Sequence, residues 1–409
     1  MSALAPFGVR SFRFQWPADL ATSWAFEMET LILGWYVLVQ TGSVTWLAVF
    51  GSLQFTGTLI APMFGMAGDR LGYRNLLCLM RACYTLLALA LAVLFLTGTA
   101  APMSVLVVAV LAGLVRPSDL VMRNLLVGQT MPAPLLMGAM GVSRTTADSA
   151  RVAGALAGAG LVATLGTGPA YVAVCLLHGV SLLLTLGVAG AGPKATGEPP
   201  RAAPLRDLTD GIAYVWTTPH LRAAMYLAFL VNLTAFPLAG ALLAYVARDV
   251  YRLDQTALAW LVASFAGGAL LGSMFVSARG GNIRPGRMML VSGLLWFALL
   301  WGFVLAPGPY GGGALLVLAG IAQSFCLVPM AVMLLRVTAA PFRGRVMGVR
   351  MLAVYGLPLG LLASGPLIER FGFAATGSLY CLTGLLFVAV IAVRWRRQLW
   401  SLDAPANAR

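Results

Sequence analysis

Charge is what this sequence most lacks: of 409 residues only 10% are Asp, Glu, Lys or Arg, where a soluble globular domain carries about 25%. A chain so poor in charge and 60% hydrophobic cannot cover two or three soluble domains with a solvated surface, so a polytopic membrane protein is expected. A spanning helix takes about 20 apolar residues, which leaves room for roughly twelve. Lysine is nearly absent. Lys194 stands alone and is followed by Ala195, so no Gly-x-x-x-x-Gly-Lys-Ser/Thr phosphate loop exists. Two histidines, His178 and His220, are far apart, with no His-Glu-x-x-His pair, and no metal centre or cofactor is expected. The five cysteines (Cys78, Cys83, Cys175, Cys326, Cys381) fall in apolar runs without Cys-x-x-Cys spacing. They read as small core residues, neither a disulfide framework nor a zinc site.

Acid is scarcer than base, 13 Asp+Glu against 27 Lys+Arg, for a net charge of +14. In a soluble protein that excess suggests nucleic acid; here the cations must first be placed relative to the membrane. Apolar runs bounded by turn residues predict helices at 15–39, 45–66, 75–97, 102–122, 138–164, 169–191, 221–246, 256–277, 288–306, 313–335, 346–368 and 373–393. With the N-terminus inside, Arg248, Arg252 and Arg370 fall in outside loops and Arg116 and Arg151 within helices, while the other 22 of the 27 lie inside. That asymmetry puts both termini in the cytoplasm and predicts contact with anionic lipid at that face, with no nucleic-acid partner. The stretch Met1 to Gln15 has no short apolar run ending in a cleavage site, so a removable leader is not expected.

One long polar stretch divides the chain into an N-terminal six-helix bundle (1–191), a linker (192–220) and a C-terminal bundle with a tail (221–409). Within the linker, Leu205, Leu208, Ile212 and Val215 have the spacing of an amphipathic helix lying along the inner surface. Short matches recur at nearly constant offset: Ala25-Phe26 with Ala235-Phe236, Trp46-Leu47 with Trp260-Leu261, Met63-Phe64 with Met274-Phe275, and Met140-Gly141-Val142 with Met347-Gly348-Val349. Two homologous halves are the build of a transporter whose halves rock about a site.

A charge at mid-membrane costs at least about 2.5–3.5 kcal/mol, so each one needs a reason. The first helix carries Asp19, Glu27 and Glu29. Glu27 and Glu29 lie at mid-depth, two residues apart, so they point about 200° apart and cannot share one face. Arg144, Asp148 and Arg151 share a face of the fifth helix and are candidate counter-charges. Either glutamate is a candidate proton carrier, with Asp19 in the same proton-coupling set and Asp148 or Arg151 tuning it; the competing reading is a static salt-bridge network. Arg116 and Asp119, one turn apart, read as a structural pair or a substrate-anion site. In the second half Phe229, Asn232, Phe236, Gln323, Phe325 and Tyr355 could line an aromatic pocket for a bulky, partly apolar substrate. Pro237, Pro329 and Pro358 are expected to break or kink their helices.

The segment Gly65-Met66-Ala67-Gly68-Asp69-Arg70-Leu71-Gly72-Tyr73-Arg74 resembles the signature loop of the major facilitator superfamily. Tyr73 stands where that loop usually has a base. The resemblance narrows to the siderophore and macrolide exporters through Phe12-Arg13, Arg116-Pro117, Leu205-Arg206-Asp207-Leu208 and Arg343-Gly344-Arg345-Val346-Met347-Gly348. It implies an all-α membrane fold of twelve transmembrane helices in two pseudo-symmetric bundles, working as a monomer by alternating access in a bacterial inner membrane. It also implies a conformational switch at Gly65, Asp69, Arg70, Gly72 and Arg74, with Asp119 completing the charge cluster, and a peripheral sixth helix in which His178 only packs. The helix-5 antiporter motif is matched by Gly154, Gly158 and Gly160 without its proline, and Ala150, Gly154 and Gly158 predict close helix packing. The expected activity is proton-coupled export of a bulky amphipathic or apolar small molecule, drug-like or siderophore-like. Uptake or uniport of an organic anion held by Arg151 and Arg116 is the alternative, and a membrane enzyme or lipid-handling protein stands behind both.

Overall fold

A computed structural model of the chain describes residues 5–58, 60–189, 204–279, 285–339 and 342–401. Among them every regular element is helical. The chain forms two compact units, Met1–Gly197 with Asp254–Ala259, and Glu198–Leu253 with Trp260–Arg409. Nine helical stretches among the described residues are long and apolar enough to cross a membrane. The three other expected spans are helical too but break the simple pattern, two because they carry charge and one because it is interrupted.

In the first unit the helices are α1 (Arg10–Thr41), α2 (Val44–Leu53), α3 (Ala61–Leu71), α4 (Tyr73–Leu96), α5 (Pro102–Thr130), α6 (Ala133–Leu165) and α7 (Thr167–Leu186). α1 is the hub, packed against α2, α5, α6 and α7. The expected continuous helix at 45–66 is instead α2, a 3-10 turn at Thr56–Thr58, and α3. Gly57 explains the interruption: a side chain there would overlap the carbonyl oxygen of Leu114 on α5, so backbone meets backbone. The expected loop after α3 is also different. Helix runs through Gly68 and Arg70 to Leu71, and Gly72 alone, at φ 82°, turns the chain into α4. Gly166 and Gly372 make the same one-residue junction elsewhere, at φ 86° and 82°. A side chain is strained in that region, so glycine is what permits so short a joint.

The second unit holds α8 (Pro204–Thr217), α9 (Pro219–Leu230), α10 (Phe236–Ala239), α11 (Leu243–Tyr245), α12 (Gln255–Arg279), α13 (Pro285–Leu305), α14 (Pro309–Val337), α15 (Arg343–Leu352), α16 (Gly356–Phe371), α17 (Phe373–Arg394) and α18 (Arg396–Ser401). The expected span at 221–246 is a composite. Two π-turns, Val231–Ala235 and Val246–Val250, flank short helices that part at Gly240. Pro237 sits just after the first π-turn, where its missing N–H is tolerated. Pro358 lies in the first turn of α16, whereas α14 runs through Pro329 unbroken. The amphipathic linker helix is α8, and it packs on α15: Tyr214 stacks on Phe342 at 4.4 Å, and Gly211 lies against the Arg345 backbone. Val215 is buried but Ile212, expected beside it, is exposed. Leu205 and Leu208 lie outside the described side chains, as do Lys194 and the rest of the linker before Pro204.

The repeats seen in sequence correspond to repeated packing. Phe26 meets Tyr84 edge-on at 5.0 Å in the first unit, and Phe236 meets Trp296 edge-on at 5.3 Å in the second. α5 and α14 are both 29 residues long and start 207 residues apart. At that same offset, Gly113 abuts the Leu53 carbonyl and Gly320 the Phe265 carbonyl.

The small-residue row of α6 faces α1. A Cβ at Gly158 would lie 3.1 Å from the Cα of Met28, and one at Gly154 would lie 2.9 Å from the Cβ of Glu27. Gly160 has nothing within 4 Å. Gly158→Leu should therefore lower the unfolding temperature of the detergent-purified protein by several degrees, and Gly160→Leu should leave it unchanged.

Candidate functional site

Asp19, Thr22, Phe26 and Glu29 follow one another at spacings of three and four, which on α1 makes a single stripe. The stripe carries two charged layers with an aromatic one between them.

The first layer is centred on Asp19. Its carboxylate pairs with Arg81 of α4, whose side chain is fully buried, and lies 3.7 Å from Nε of Arg123 on α5. Arg123 in turn pairs with Asp119 one turn before it, donates to the Asp19 carbonyl at 3.1 Å, and donates to Ser23 Oγ at 2.9 Å. Arg81 also donates to Thr185 of α7, and Gln15 donates to the Arg123 carbonyl at 3.0 Å. Two acids and two arginines thus tie α1, α4, α5 and α7 together. Asp119 is turned to Arg123, so the expected Arg116–Asp119 pair does not form.

Phe26 is the aromatic layer. The guanidinium of Arg116 sits 4.4 Å from its ring centroid and that of Arg123 6.0 Å. Tyr84 and His178, both buried, pack around it at 5.0 and 5.5 Å.

The last layer holds Glu29. Tyr171 of α7, itself fully buried, donates its hydroxyl to Oε1 of Glu29 at 2.5 Å. A narrow cleft of about 20 Å³ opens beside it, lined by Glu29, Thr30, Leu33, Phe50, Gln54 and Arg116 with apolar α5 residues behind. Arg116 donates to Gln54 Oε1 at 2.6 Å, to Thr30 Oγ1 at 3.0 Å and to the Phe26 carbonyl at 3.2 Å. Its donors therefore point at protein acceptors, and it forms no ion pair among the described residues.

Glu27 points elsewhere, as the 200° rotation requires. It lies 3.9 Å from Nε of Arg151 on α6, with 29% and 49% of the two side chains exposed. Asp148 pairs with Arg144 at 3.0 Å. Of the switch residues, Arg70 is exposed, Arg74 donates to the Leu186 carbonyl at the end of α7, and Gly72 is the junction described above. Asp69 and Gly65 lie outside the described side chains.

The second-half candidates are spread out. Phe236, half-buried, packs edge-on against buried Trp296; Phe325 pairs with Phe275 of α12 at 5.6 Å; Asn232, inside the first π-turn, donates to the Ala228 carbonyl one turn back. Phe229 is 39% exposed and Gln323 is buried. Gln323 and Phe325, two residues apart on α14, lie on opposite faces. Tyr355 ends the 3-10 turn before α16.

Four residues of the site went unrecognised in sequence: Arg81, Arg123, Gln54 and Tyr171. Arg81 and Arg123 count among the inside cations by position, yet each lies within an apolar helical run, the signal that should single out a charge needing a partner. Gln54 and Tyr171 carry no such mark. Their roles exist only once α2 and α7 are folded against α1.

Breaking a buried pair from one side leaves a charge uncompensated, at about 3–5 kcal/mol. Arg81→Met should destabilise the protein by about that much, and Asp19→Asn added to it should restore much of the loss. Unfolding of the single and double variants in detergent measures both.

Comparisons with known proteins agree with the architecture. No protein-family profile matches the chain. It is 30% identical over 210 residues to the multidrug efflux pump Tap of Mycolicibacterium fortuitum, a match covering 49% of each chain; the alignment thus spans about half the length of this curated relative. Among solved structures, a bacterial homologue of the human lysosomal transporter Spinster, inward-facing and unoccupied, superposes with a TM-score of 0.73. Their sequences are 14% identical over 97% of this chain and 99% of that one. A variant of the nucleoside transporter NupG gives 0.70 at 15% identity, over 94% of this chain and 99% of that one. The human organic anion transporter MFSD10 gives 0.68 at 15% identity, over 93% and 99% respectively. At these identities the likeness is one of fold.

Proposed function

We propose, with the chain's major facilitator fold as premise, that this membrane protein is a secondary active transporter. In this reading it exports a bulky amphipathic or apolar small molecule in exchange for protons, and Glu29 carries the proton.

One observation carries the reading. Of the five acids set on the first unit's long helices, Asp19, Asp119, Asp148 and Glu27 each have an arginine at ion-pair distance. Glu29 is buried with no ion pair among the described residues; its partner is the neutral Tyr171 hydroxyl, and its arginine, Arg116, is held across the cleft by Gln54 and Thr30. A carboxylate already neutralised by a contacting guanidinium gains little from a proton. One that is buried without such a cation can be neutralised by a proton, and its charge then depends on which aqueous phase it meets. Support for export comes from the efflux pump related to half of the chain. Holding an organic anion on Arg116 would require exchanging three protein hydrogen bonds, which weighs against the uptake reading.

In liposomes with an imposed pH gradient, Glu29→Gln should lose gradient-driven substrate accumulation by at least about tenfold, while Glu27→Gln keeps most of it. Accumulation by both variants at the parental rate would end the coupling role, and a substrate profile restricted to anions would replace export with the uptake reading. Lipid redistribution without a gradient would instead indicate a lipid-handling protein.

Tyr171→Phe separates proton carriage from mere packing. The Tyr171 hydroxyl is the hydrogen-bond partner of Glu29, so removing it should displace the pH profile of transport. A variant that changes only stability would leave the profile in place.

A further inference from the structure

The second unit has a cluster of a different kind where α9 begins and α17 ends. Trp395 is the single residue joining α17 to α18. The guanidinium of Arg222, in the first turn of α9, lies 5.8 Å from its ring centroid, and that of Arg394 lies 5.5 Å away. Tyr226 touches the same indole at 5.8 Å, and Trp216 at the end of α8 touches Tyr226 at 6.0 Å. The arrangement is anchored. Leu399 of α18 is fully buried, and its backbone runs against Gly286 of α13 so closely that a side chain there would overlap its carbonyl.

Two like charges share one ring. Cation–π attraction offsets part of their repulsion, and no carboxylate among the described residues forms an ion pair with either arginine. Arg396 and Arg397 follow immediately, both exposed. The position is equally informative. Arg222 stands near the start of the span Pro219–Val250 and Arg394 at the end of Phe373–Arg394, so the cluster lies at one boundary of the membrane-crossing segments. Trp216 is 55% exposed, Tyr226 40% and Val393 75%, so an aromatic and aliphatic surface lies beside the cations.

We propose that this cluster is a binding site for an anionic phospholipid, its phosphodiester held by Arg222 and Arg394 and its acyl chains lying on Trp216, Tyr226 and Val393. Both guanidiniums lie over the indole, and the planar N–H edges of such groups match phosphate oxygens. A soluble anion would satisfy the charges but leave the exposed aromatic surface uncovered; a lipid satisfies both. The charge asymmetry of the sequence assigns this boundary to the cytoplasmic side, whose leaflet supplies anionic headgroups.

The test uses the full-length protein, delipidated in detergent and titrated with equal amounts of phosphatidylglycerol and phosphatidylcholine, with bound lipid read by native mass spectrometry. The parent should retain phosphatidylglycerol in at least about fivefold preference. Arg222→Gln with Arg394→Gln should reduce that to the phosphatidylcholine level, and the single Arg394→Gln, at an exposed side chain, should lose part of it and answers the question if the double variant does not fold. Arg10→Gln with Arg13→Gln, removing the same charge from exposed positions of the other unit, should retain the preference. Full retention by the Arg222 and Arg394 variants, equal loss in the Arg10 and Arg13 control, or displacement of the lipid by millimolar inorganic phosphate would each overturn the proposal.

Discussion

The constraint on which the first unit depends is neutrality in a medium that cannot solvate charge. Its long helices carry five acids, Asp19, Glu27, Glu29, Asp119 and Asp148, and the structure sets five arginines against them, Arg81, Arg116, Arg123, Arg144 and Arg151. Four acids are matched by contact. Two of the four cross between helices, and the buried one, Asp19 with Arg81, is costly to break from either side; Asp119–Arg123 and Asp148–Arg144 each lie within one helix. Asp19 with Arg81 joins α1 to α4, and Glu27 with Arg151 joins α1 to α6. The fifth is matched at a distance, across a cleft. Among the described residues it is the acid of these helices that is buried without an arginine at contact distance.

Duplication of the fold makes the asymmetry plain. Each unit keeps an edge-on aromatic pair, Phe26 with Tyr84 and Phe236 with Trp296, and each keeps a glycine contact between equivalent helices. The position 207 residues after Arg116 is Gln323, buried and uncharged. The residues 210 after Glu27 and Glu29 are Pro237 and Ala239. The two halves therefore share a packing scheme but not an electrostatic one. The second has the freedom to use irregular backbone, the π-turns and the Gly240 break, where the first uses ion pairs.

The helices were legible in sequence because apolar runs of about twenty residues between turn residues have little else to become. So were the opposite directions of Glu27 and Glu29, which follow from helical geometry alone. What escaped was tertiary. Gly57 interrupts the second span because the backbone of α5 lies against it. Arg81 and Arg123 looked like topology signals because counting charge by segment ignores depth. Asp119 has Arg116 three residues before it and Arg123 four after, both within reach on a helix; the choice of Arg123 is made by Asp19 on α1, which no local pattern reports. The aromatic residues of the second half share a composition but not a surface, and composition cannot tell the two apart.

The one-residue junctions at Gly72, Gly166 and Gly372 have a mechanical meaning. A linker of several residues lets two helices tilt independently, whereas a joint with a single residue has no slack. α3 with α4, α6 with α7, and α16 with α17 are coupled at one end like the arms of a caliper, and a displacement of one arm must appear in the other. Arg74 strengthens the first joint by grasping the end of α7. α3, α4 and α7 are thereby gathered at one end, and the last two carry Arg81 and Tyr171, which reach the two charged layers of α1.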